Sequence, residues 1–207
     1  MIDLDISGGV WTLTLNRAEK ANALSFEMLE RIAEIASDAK AARAVIITGA
    51  GGVFSAGADL NAVKAGLATS DVWERVSGAI ADLPGLTIAA LNGTLAGGAF
   101  GMALACDIRL AVPTAKFFYP VMKLGYLPQP SDPVRMAALI GQARTKLLLM
   151  AGQKITADEA LDYGLIDRIC APDALISTAQ TLCEDICAAA PGHGAAIKVM
   201  CNGPVLD

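Results

Sequence analysis

The strongest constraint on this chain is a pattern that occurs twice: an apolar strand followed by a glycine-rich loop and then by a helix. Residues 44–49 (AVIITG) are predominantly apolar and lead into the loop 49–57, and residues 86–91 lead in the same way into the loop 92–98. Strands that are apolar on both faces belong inside a parallel sheet covered by helices. Together with the other alternating segments, the pattern predicts an α/β domain followed by a mainly helical C-terminal part.

Local signals predict the individual elements. Ser25 is the expected N-cap of a helix that runs to about Ala42. Strands are expected over residues 10–16, 44–49, 86–91 and 108–111, and further helices over 72–80, 99–105, 133–140, 144–150, 157–163 and 174–189. Residues 1–190 are expected to form one domain and residues 191–207 a short tail, in which glycines and a proline weaken any helix. These residues are Gly192, Gly194, Gly203 and Pro204.

The composition restricts the class of protein. The chain has 207 residues, of which 54% are hydrophobic and 18% charged, and its formal net charge is −5. A chain this apolar can bury a sizeable core, which excludes a disordered protein. Because the chain is acidic and has no run of lysine or arginine, no nucleic-acid partner is expected.

One uncharged stretch, residues 83–106, is long enough to cross a bilayer. Pro84-Gly85 at its start and Asn92-Gly93 in its middle are turn signals. We therefore expect a strand, a turn and a buried helix here, and no contact with a membrane.

The five cysteines are odd in number and dispersed along the chain, which argues against a disulfide framework. They show no metal-ligand spacing, so we expect small buried apolar residues and no metal site. The acidic residues 1–5 do not resemble an export signal, so a cytoplasmic setting is the default expectation.

The glycine loops first suggest a dinucleotide or phosphate site, but their details do not fit one. In the first loop Phe54 stands at the third glycine of the dinucleotide fingerprint, and no acidic residue follows at the expected distance. Residues 53–57 (VFSAG) lack the first glycine of a nucleophile elbow. The chain has one histidine, His193, so a serine triad has a single possible base, and nothing places it near Ser55.

A set of ordered motifs instead resembles one known superfamily. The motifs are Asn16-Arg17, residues 20–24 (KANAL), 54–60 (FSAGADL), 90–93 (ALNG), 97–99 (GGA), Cys106-Asp107, Phe117, Pro120, Leu124-Gly125, 156–160 (TADEA) and 164–167 (GLID). In this order they resemble the crotonase, or enoyl-CoA hydratase/isomerase, superfamily over about residues 2–190. The resemblance implies an α/β fold with a crotonase-like ββα spiral core and a shortened helical C-terminal region. Family members usually continue beyond the position of Asp207, with helices that cover the acyl pocket.

The same resemblance implies an acyl-CoA thioester as the substrate. Two backbone N–H groups, by motif position those of Ala58 and Gly98, would stabilise the enolate or oxyanion. The coenzyme A and substrate path would be lined by Ala23, Ala56, Ala58, Asp59, Leu60 and Asn61. Coenzyme A would be part of the substrate, with no separate cofactor, and the protein would form a homotrimer or hexamer. From its own position, Asp59 is expected to cap its helix.

The sequence departs from the family at the acid–base positions. Hydratases in the family use two glutamates, and the corresponding positions here are Gly101 and Val121. Some other members place an acid where this chain has Gln129. None of these side chains transfers a proton, although general acid–base help is typically worth ~10²–10⁴ in rate.

Asp132 is the substitute nearest to these positions, and it is our candidate acid–base residue. The alternative for Asp132 is an N-cap for a helix starting at Pro133, since Asp-Pro suits that position. Three further polar residues could reach the pocket, each with a structural alternative: Tyr119 and Tyr126 as core residues, and Glu74 on a solvated helix face. His193 is expected in a surface loop.

Two hypotheses of different classes follow. In the first, the chain is an enzyme that acts on an acyl-CoA thioester through an oxyanion hole, by isomerisation, decarboxylation or thioester hydrolysis. In the second, it is a relative without catalytic activity that binds acyl-CoA or assembles with partners. A dinucleotide-dependent oxidoreductase is a distant third.

Overall fold

A computed structural model describes residues 1–203 and contains ten strands and ten α-helices within that range. The strands are β1 (Ile2–Ser7), β2 (Val10–Leu15), β3 (Ala44–Gly49), β4 (Val53–Ser55), β5 (Leu86–Leu91), β6 (Thr94–Ala96), β7 (Ile108–Ala111), β8 (Lys116–Phe118), β9 (Ile155–Thr156) and β10 (Arg168–Ile169). The helices are α1 (Phe26–Asp38), α2 (Leu60–Lys64), α3 (Val72–Ala81), α4 (Phe100–Ala105), α5 (Val121–Leu124), α6 (Asp132–Leu149), α7 (Ala157–Tyr163), α8 (Leu175–Thr181), α9 (Glu184–Ala188) and α10 (His193–Asn202).

The strands form two sheets. The larger has the order β1-β2-β3-β5-β7-β10 and is parallel except for the hairpin of β1 and β2. The smaller has the order β4-β6-β8-β9 and is parallel except for the pair of β8 and β9. The segments predicted as glycine-rich loops are therefore not loops throughout: residues 49–57 contain the short strand β4, and residues 92–98 contain the short strand β6. In each, the chain passes from a long strand of the larger sheet into a short strand of the smaller one. The mixed α/β architecture confirms the predicted fold class.

The core forms where the sequence pattern predicts it. Ser25 caps α1 by accepting a hydrogen bond from the N–H of Met28 at 3.3 Å. The apolar face of α1, including Leu29, Ile32 and Ile35, is buried. Strands β3 and β5 are almost entirely buried, as expected for inner strands covered on both faces. Burial of these apolar faces is the main stabilising contribution to the fold.

The uncharged stretch 83–106 folds as predicted into separate elements. It contains the predicted strand, β5, and the predicted buried helix, α4; between them lie a bend at Gly93 and the short strand β6, which was not predicted. Within residues 1–203, no helix combines the length and the apolar character needed to cross a membrane.

Several element predictions were wrong. Helix α1 ends at Asp38 rather than Ala42, and the segment 174–189 forms α8 and α9 instead of one helix. The two separate helices predicted over residues 133–140 and 144–150 are, in contrast, confirmed: Gly141, with φ of 78°, interrupts the helical geometry within the range of α6.

The predicted tail contains a helix despite its glycines. His193 is the exposed first residue of α10 and not a loop residue. Lys198 of α10 fastens this helix to the rest of the chain by donating to the carbonyl of Gly85 at 3.0 Å and to Asp107 at 2.8 Å. Pro204 lies outside the described residues.

All five cysteines lie within residues 1–203 and are free. Cys106, Cys170 and Cys183 are buried as predicted, whereas Cys187 is half-buried and Cys201 is exposed. Burial raises the pKa of the Cys106 thiol to about 12, so this thiol stays protonated near neutral pH.

Candidate active site

The two glycine-rich loops touch each other through their backbones. Gly57 has φ of 89°, and a Cβ atom at this residue would lie 2.9 Å from the carbonyl oxygen of Ala96 and 3.4 Å from Cα of Gly97. Both the left-handed conformation and the close approach require glycine at position 57. The loop after β4 is therefore held directly against the loop after β6.

Ala58 and Gly98 occupy equivalent places in the two loops. Ser55 of β4 pairs with Leu95 of β6 in parallel register, and Ala58 and Gly98 each lie three positions further on. Both residues line one cavity of about 340 Å³. Within residues 1–203, neither backbone N–H donates to a protein acceptor. Unpaired amides beside a cavity are available to bind a negatively charged oxygen.

A left-handed turn at Ala21 and Asn22, with φ of 51° and 52°, supports the segment that leads to Ala58. Asn22 is fully buried, and its side-chain nitrogen donates to the carbonyls of Ala50 at 2.9 Å and Val53 at 2.7 Å. Leu24 forms a parallel bridge with Ala58. The family motif at residues 20–24 (KANAL) therefore supports the loop that carries Ala58.

The structure places the residues predicted for the coenzyme A path in two groups. Ala56, Ala58 and Leu60 line the cavity. Asn61 is exposed on α2, and Ala23 is half-buried outside the cavity lining.

Asp59 caps α2, as predicted from its position. It accepts hydrogen bonds from the N–H groups of Asn61 at 2.9 Å and Ala62 at 3.2 Å, and it forms an ion pair with Arg17 at 2.9 Å. The bond from Ala62, followed by the contact with Arg17, lowers the pKa of Asp59. Arg17 also donates to the carbonyl of Ala23 at 2.9 Å, which ties the turn to α2.

Trp73 covers the second loop. A Cβ atom at Gly98 would lie 3.1 Å from the Trp73 ring, so the indole packs directly against this glycine. The indole nitrogen donates to the carbonyl of Leu67 at 2.8 Å and thereby holds the ring in place. Sequence reasoning gave Trp73 no role, because nothing local marks it as a neighbour of Gly98.

The three positions at which the family resemblance implies an acidic residue carry no ionisable group. Gly101 lies in the buried helix α4, and Val121 is buried and lines the cavity. Gln129 also lines the cavity. Tyr126 lines the same cavity and is exposed, so the core-residue alternative for Tyr126 is wrong. None of the described residues that line this cavity has a carboxyl group.

A buried carboxyl group nevertheless lies directly behind the cavity wall. Asp132 is fully buried, and its Oδ2 accepts a hydrogen bond of 2.9 Å from the hydroxyl of Tyr119. Tyr119 is itself one of the residues that line the cavity. Within residues 1–203, Oδ1 of Asp132 has no hydrogen-bond partner. A Cβ atom at Gly101 would lie 3.1 Å from this Oδ1. Asp132 therefore fills the space that a side chain at position 101 would enter.

The environment of this pair favours proton transfer near neutral pH. Burial raises the pKa of Asp132 to about 7, against the lowering effect of the Tyr119 bond, and nearby Glu74 raises it further while Arg135 lowers it. Burial and the neighbouring Asp132 charge also raise the pKa of Tyr119, so its hydroxyl stays protonated. A carboxyl group with such a pKa exchanges protons readily at pH 7.

The helix-cap alternative for Asp132 is wrong. Asp132 is the first residue of α6, Ser131 holds the N-cap position, and neither side chain caps the helix. Instead, Oε1 of Glu74 accepts hydrogen bonds from the N–H of Ser131 at 3.1 Å and from its hydroxyl at 3.0 Å. Glu74 is accordingly half-buried and does not lie on a solvated helix face.

Comparisons with known proteins agree with this architecture. The family model described as enoyl-CoA hydratase/isomerase matches residues 5–205. The chain is 35% identical over 202 residues to the short-chain-enoyl-CoA hydratase of Clostridium acetobutylicum, a match that covers 91% of this chain and 76% of that protein. It is 32% identical over 193 residues to the 1,2-epoxyphenylacetyl-CoA isomerase of Escherichia coli, covering 87% of this chain and 74% of that protein.

A solved structure of a related protein has the same fold. The crystal structure of an enoyl-CoA hydratase from Bacillus anthracis superposes with a TM-score of 0.91 at 32% identity, over 100% of this chain and 84% of that chain. The chain therefore belongs to the enoyl-CoA hydratase/isomerase family, within the crotonase superfamily, as its motifs predicted.

Proposed function

We propose that this chain catalyses proton transfer on an acyl-CoA thioester and shifts a double bond along the acyl group. One observation carries the proposal. The unpaired N–H groups of Ala58 and Gly98 line the same cavity as Tyr119, whose hydroxyl is hydrogen-bonded to the buried Asp132.

The backbone pair would act on the thioester oxygen. When a proton leaves the carbon next to the carbonyl, negative charge moves onto that oxygen, and two fixed N–H groups stabilise it. One such donor is worth roughly 3–4 kcal/mol in the transition state. Ala58 and Gly98 suit the role because small residues let a ligand approach the backbone.

Tyr119 and Asp132 would form the acid–base unit. Tyr119 takes a proton from one acyl carbon while its own proton passes to Asp132, and the C–H electron pair enters the enolate. Return of the proton to a different carbon regenerates both residues and moves the double bond. Because one unit does both steps, isomerisation needs a single carboxyl group, whereas hydration must activate water and protonate carbon together. Coenzyme A arrives as part of the substrate, so the proposal requires no separate cofactor.

The direct test compares turnover of 3-enoyl-CoA, 2-enoyl-CoA and malonyl-CoA by the parent and Asp132→Asn. We expect isomerisation of the 3-enoyl ester, and a fall in kcat of ~10²–10⁴ in the variant with little change in KM. Asp82→Asn is the matched control, because Asp82 is exposed at the end of α3. Equal rates for parent and Asp132→Asn would remove Asp132 from the mechanism, and rapid hydration would replace the isomerase proposal.

The absence of carboxyl groups among the described residues that line the cavity supports a second candidate, an acyl-CoA-binding protein without catalysis. Calorimetry with coenzyme A and acetoacetyl-CoA separates the two. Binding without turnover of any ester in the panel favours the second candidate, and no binding at all leaves a structural role.

We further propose a homotrimer or hexamer in the cytoplasm. Large apolar side chains are exposed beside the cavity, with Met122 61%, Leu124 60% and Leu127 87% exposed. Apolar surface of this kind is typical of an interface. Sedimentation velocity should show an oligomer that Leu127→Asp weakens, and a monomeric parent would contradict the proposal.

A further inference from the structure

Helix α3 contacts three parts of the candidate site in succession. Trp73 packs against Gly98, Glu74 binds Ser131, and the side chain of Ser77 lies 3.5 Å from the position of a Cβ atom at Gly101. One helix therefore sets the spacing between the loop that carries Gly98 and the start of α6.

The contact at Glu74 is specific. One carboxylate oxygen receives both donors of Ser131, and Arg135 donates to the Ser131 hydroxyl at 2.9 Å from one turn further along α6. Ser131 is thus held from α3 and from α6 at once. Because Asp132 is the next residue, the direction of its side chain depends on where Ser131 is fixed.

We propose that Glu74 is a positioning residue, which, through Ser131, keeps the Asp132 carboxyl group beneath the Tyr119 hydroxyl and beside Gly101. The inference rests on the proposed function. Glu74 lies outside the cavity lining and would act on the reaction only by holding Ser131 and, through it, Asp132.

The charge of Glu74 gives the inference a second, measurable consequence. The titratable or charged groups that face Asp132 are Tyr119, Glu74 from α3 and Arg135 from α6, while α4 contributes Gly101. Glu74 raises the pKa of Asp132 by like-charge repulsion, so removal of its charge should lower that pKa.

Two substitutions separate position from charge. Glu74→Ala removes both contacts to Ser131, and we expect kcat to fall at least about tenfold with KM nearly unchanged, because a small misplacement of a reacting group is costly. Glu74→Gln keeps an acceptor oxygen without the charge. It should restore most of kcat, while the acidic limb of the pH–rate profile moves to lower pH.

Glu30→Gln is the matched control, because Glu30 also ties α3 to another element, through a 3.0 Å bond from Arg75, but lies on an exposed surface. It should leave kcat and the pH–rate profile unchanged. If Glu74→Ala and Glu74→Gln both behave like this control while Asp132→Asn is inactive, the positioning role is overturned and the proposed function stands.

A measurement that does not depend on turnover tests the inference even if the proposed function is wrong. The Asp132 carboxyl carbon can be followed by carbon-13 NMR in aspartate-labelled protein and identified with Asp132→Asn. We expect its titration midpoint to move to lower pH in Glu74→Gln and to stay in place in Glu30→Gln. An unchanged midpoint in Glu74→Gln would overturn the inference whether or not any ester is turned over.

Discussion

The two sides of the candidate site consist of different kinds of chemical group, backbone amides on one side and side chains on the other. The donor side, Ala58 and Gly98, consists of backbone groups fixed by the pairing of β4 with β6 and by contact between two loops. The acid side, Tyr119 and Asp132, consists of side chains held by a hydrogen bond and by burial. Backbone geometry persists under most substitutions outside its glycines, whereas the acid side depends on particular side chains.

After the loss expected for Asp132→Asn, the largest effect should come from breaking the donor side at Gly57. Gly57→Ala places a Cβ atom 2.9 Å from the Ala96 carbonyl at a φ of 89°, so the two loops must separate. We expect kcat to fall by about 10²–10³, the effect of losing an oxyanion donor, and the free energy of unfolding to fall by about 1–3 kcal/mol. Steady-state kinetics and denaturant unfolding measure both. Gly52→Ala is the control, since nothing lies within 4 Å of a Cβ atom there, and an equal loss in it would refute the loop-contact argument.

The acid side can be disturbed without removing its carboxyl group. Gly101→Ala would bring a Cβ atom to 3.1 Å from Oδ1 of Asp132, and the carboxyl group must move away. We expect kcat to fall about tenfold, a change typical of a small misplacement, with the fold retained. The matched variant Gly78→Ala on α3 meets nothing within 4 Å. It should keep full activity and gain up to about 1 kcal/mol of stability. Unchanged activity in Gly101→Ala would show that Asp132 does not work at this position.

The acid side should also make stability depend on pH. Because the pKa of folded Asp132 is raised from 3.8 to about 7, the folded state binds its proton more tightly than the unfolded state. This contribution is fully present below about pH 4 and is lost as pH rises through 7, at no more than about 1.4 kcal/mol per pH unit. Chemical denaturation of the parent and Asp132→Asn across this window checks it. The stability of the parent relative to the variant should decline with pH, and parallel curves would contradict the raised pKa.

The smallest effect is expected at the support of the donor side. Arg17→Ala removes the partly buried ion pair with Asp59 and the bond to the Ala23 carbonyl, and should lower the free energy of unfolding by about 1 kcal/mol. The exposed pair of Arg31 and Glu34 provides the comparison, and Arg31→Ala should change stability by less than about 0.5 kcal/mol. Thermal and denaturant unfolding distinguish them. Equal effects would mean that Arg17 does not fasten the turn to α2.

How far the sequence predicts this molecule depends on the range of the interactions involved. Strands β3 and β5, the Ser25 cap and helix α7 were all predicted, because apolar spacing and capping residues act over a few positions. The strands β4, β6 and β8 were not predicted. Each has three residues, which is too short for any alternation to show, and they exist because parallel partners complete their hydrogen bonds.

The acid side shows the same limit more sharply. The local signal at Asp132, an aspartate before a proline, favours a helix cap, yet the side chain is directed to the Tyr119 hydroxyl. The start of α6 is instead held by Glu74, which lies 57 residues before its hydrogen-bond partner Ser131. No local pattern predicts a contact across such a separation.

The sequence by itself determined the family, the two glycine-rich loops and the positions of Ala58 and Gly98, because motif order, apolar runs and glycine placement are properties of neighbouring residues. The tertiary structure alone decided which carboxyl group lies behind the cavity, which helix contacts the residue before it, and in which direction burial shifts its pKa. These depend on burial and on contacts between α3, α4 and α6, which exist once the chain has closed around its core.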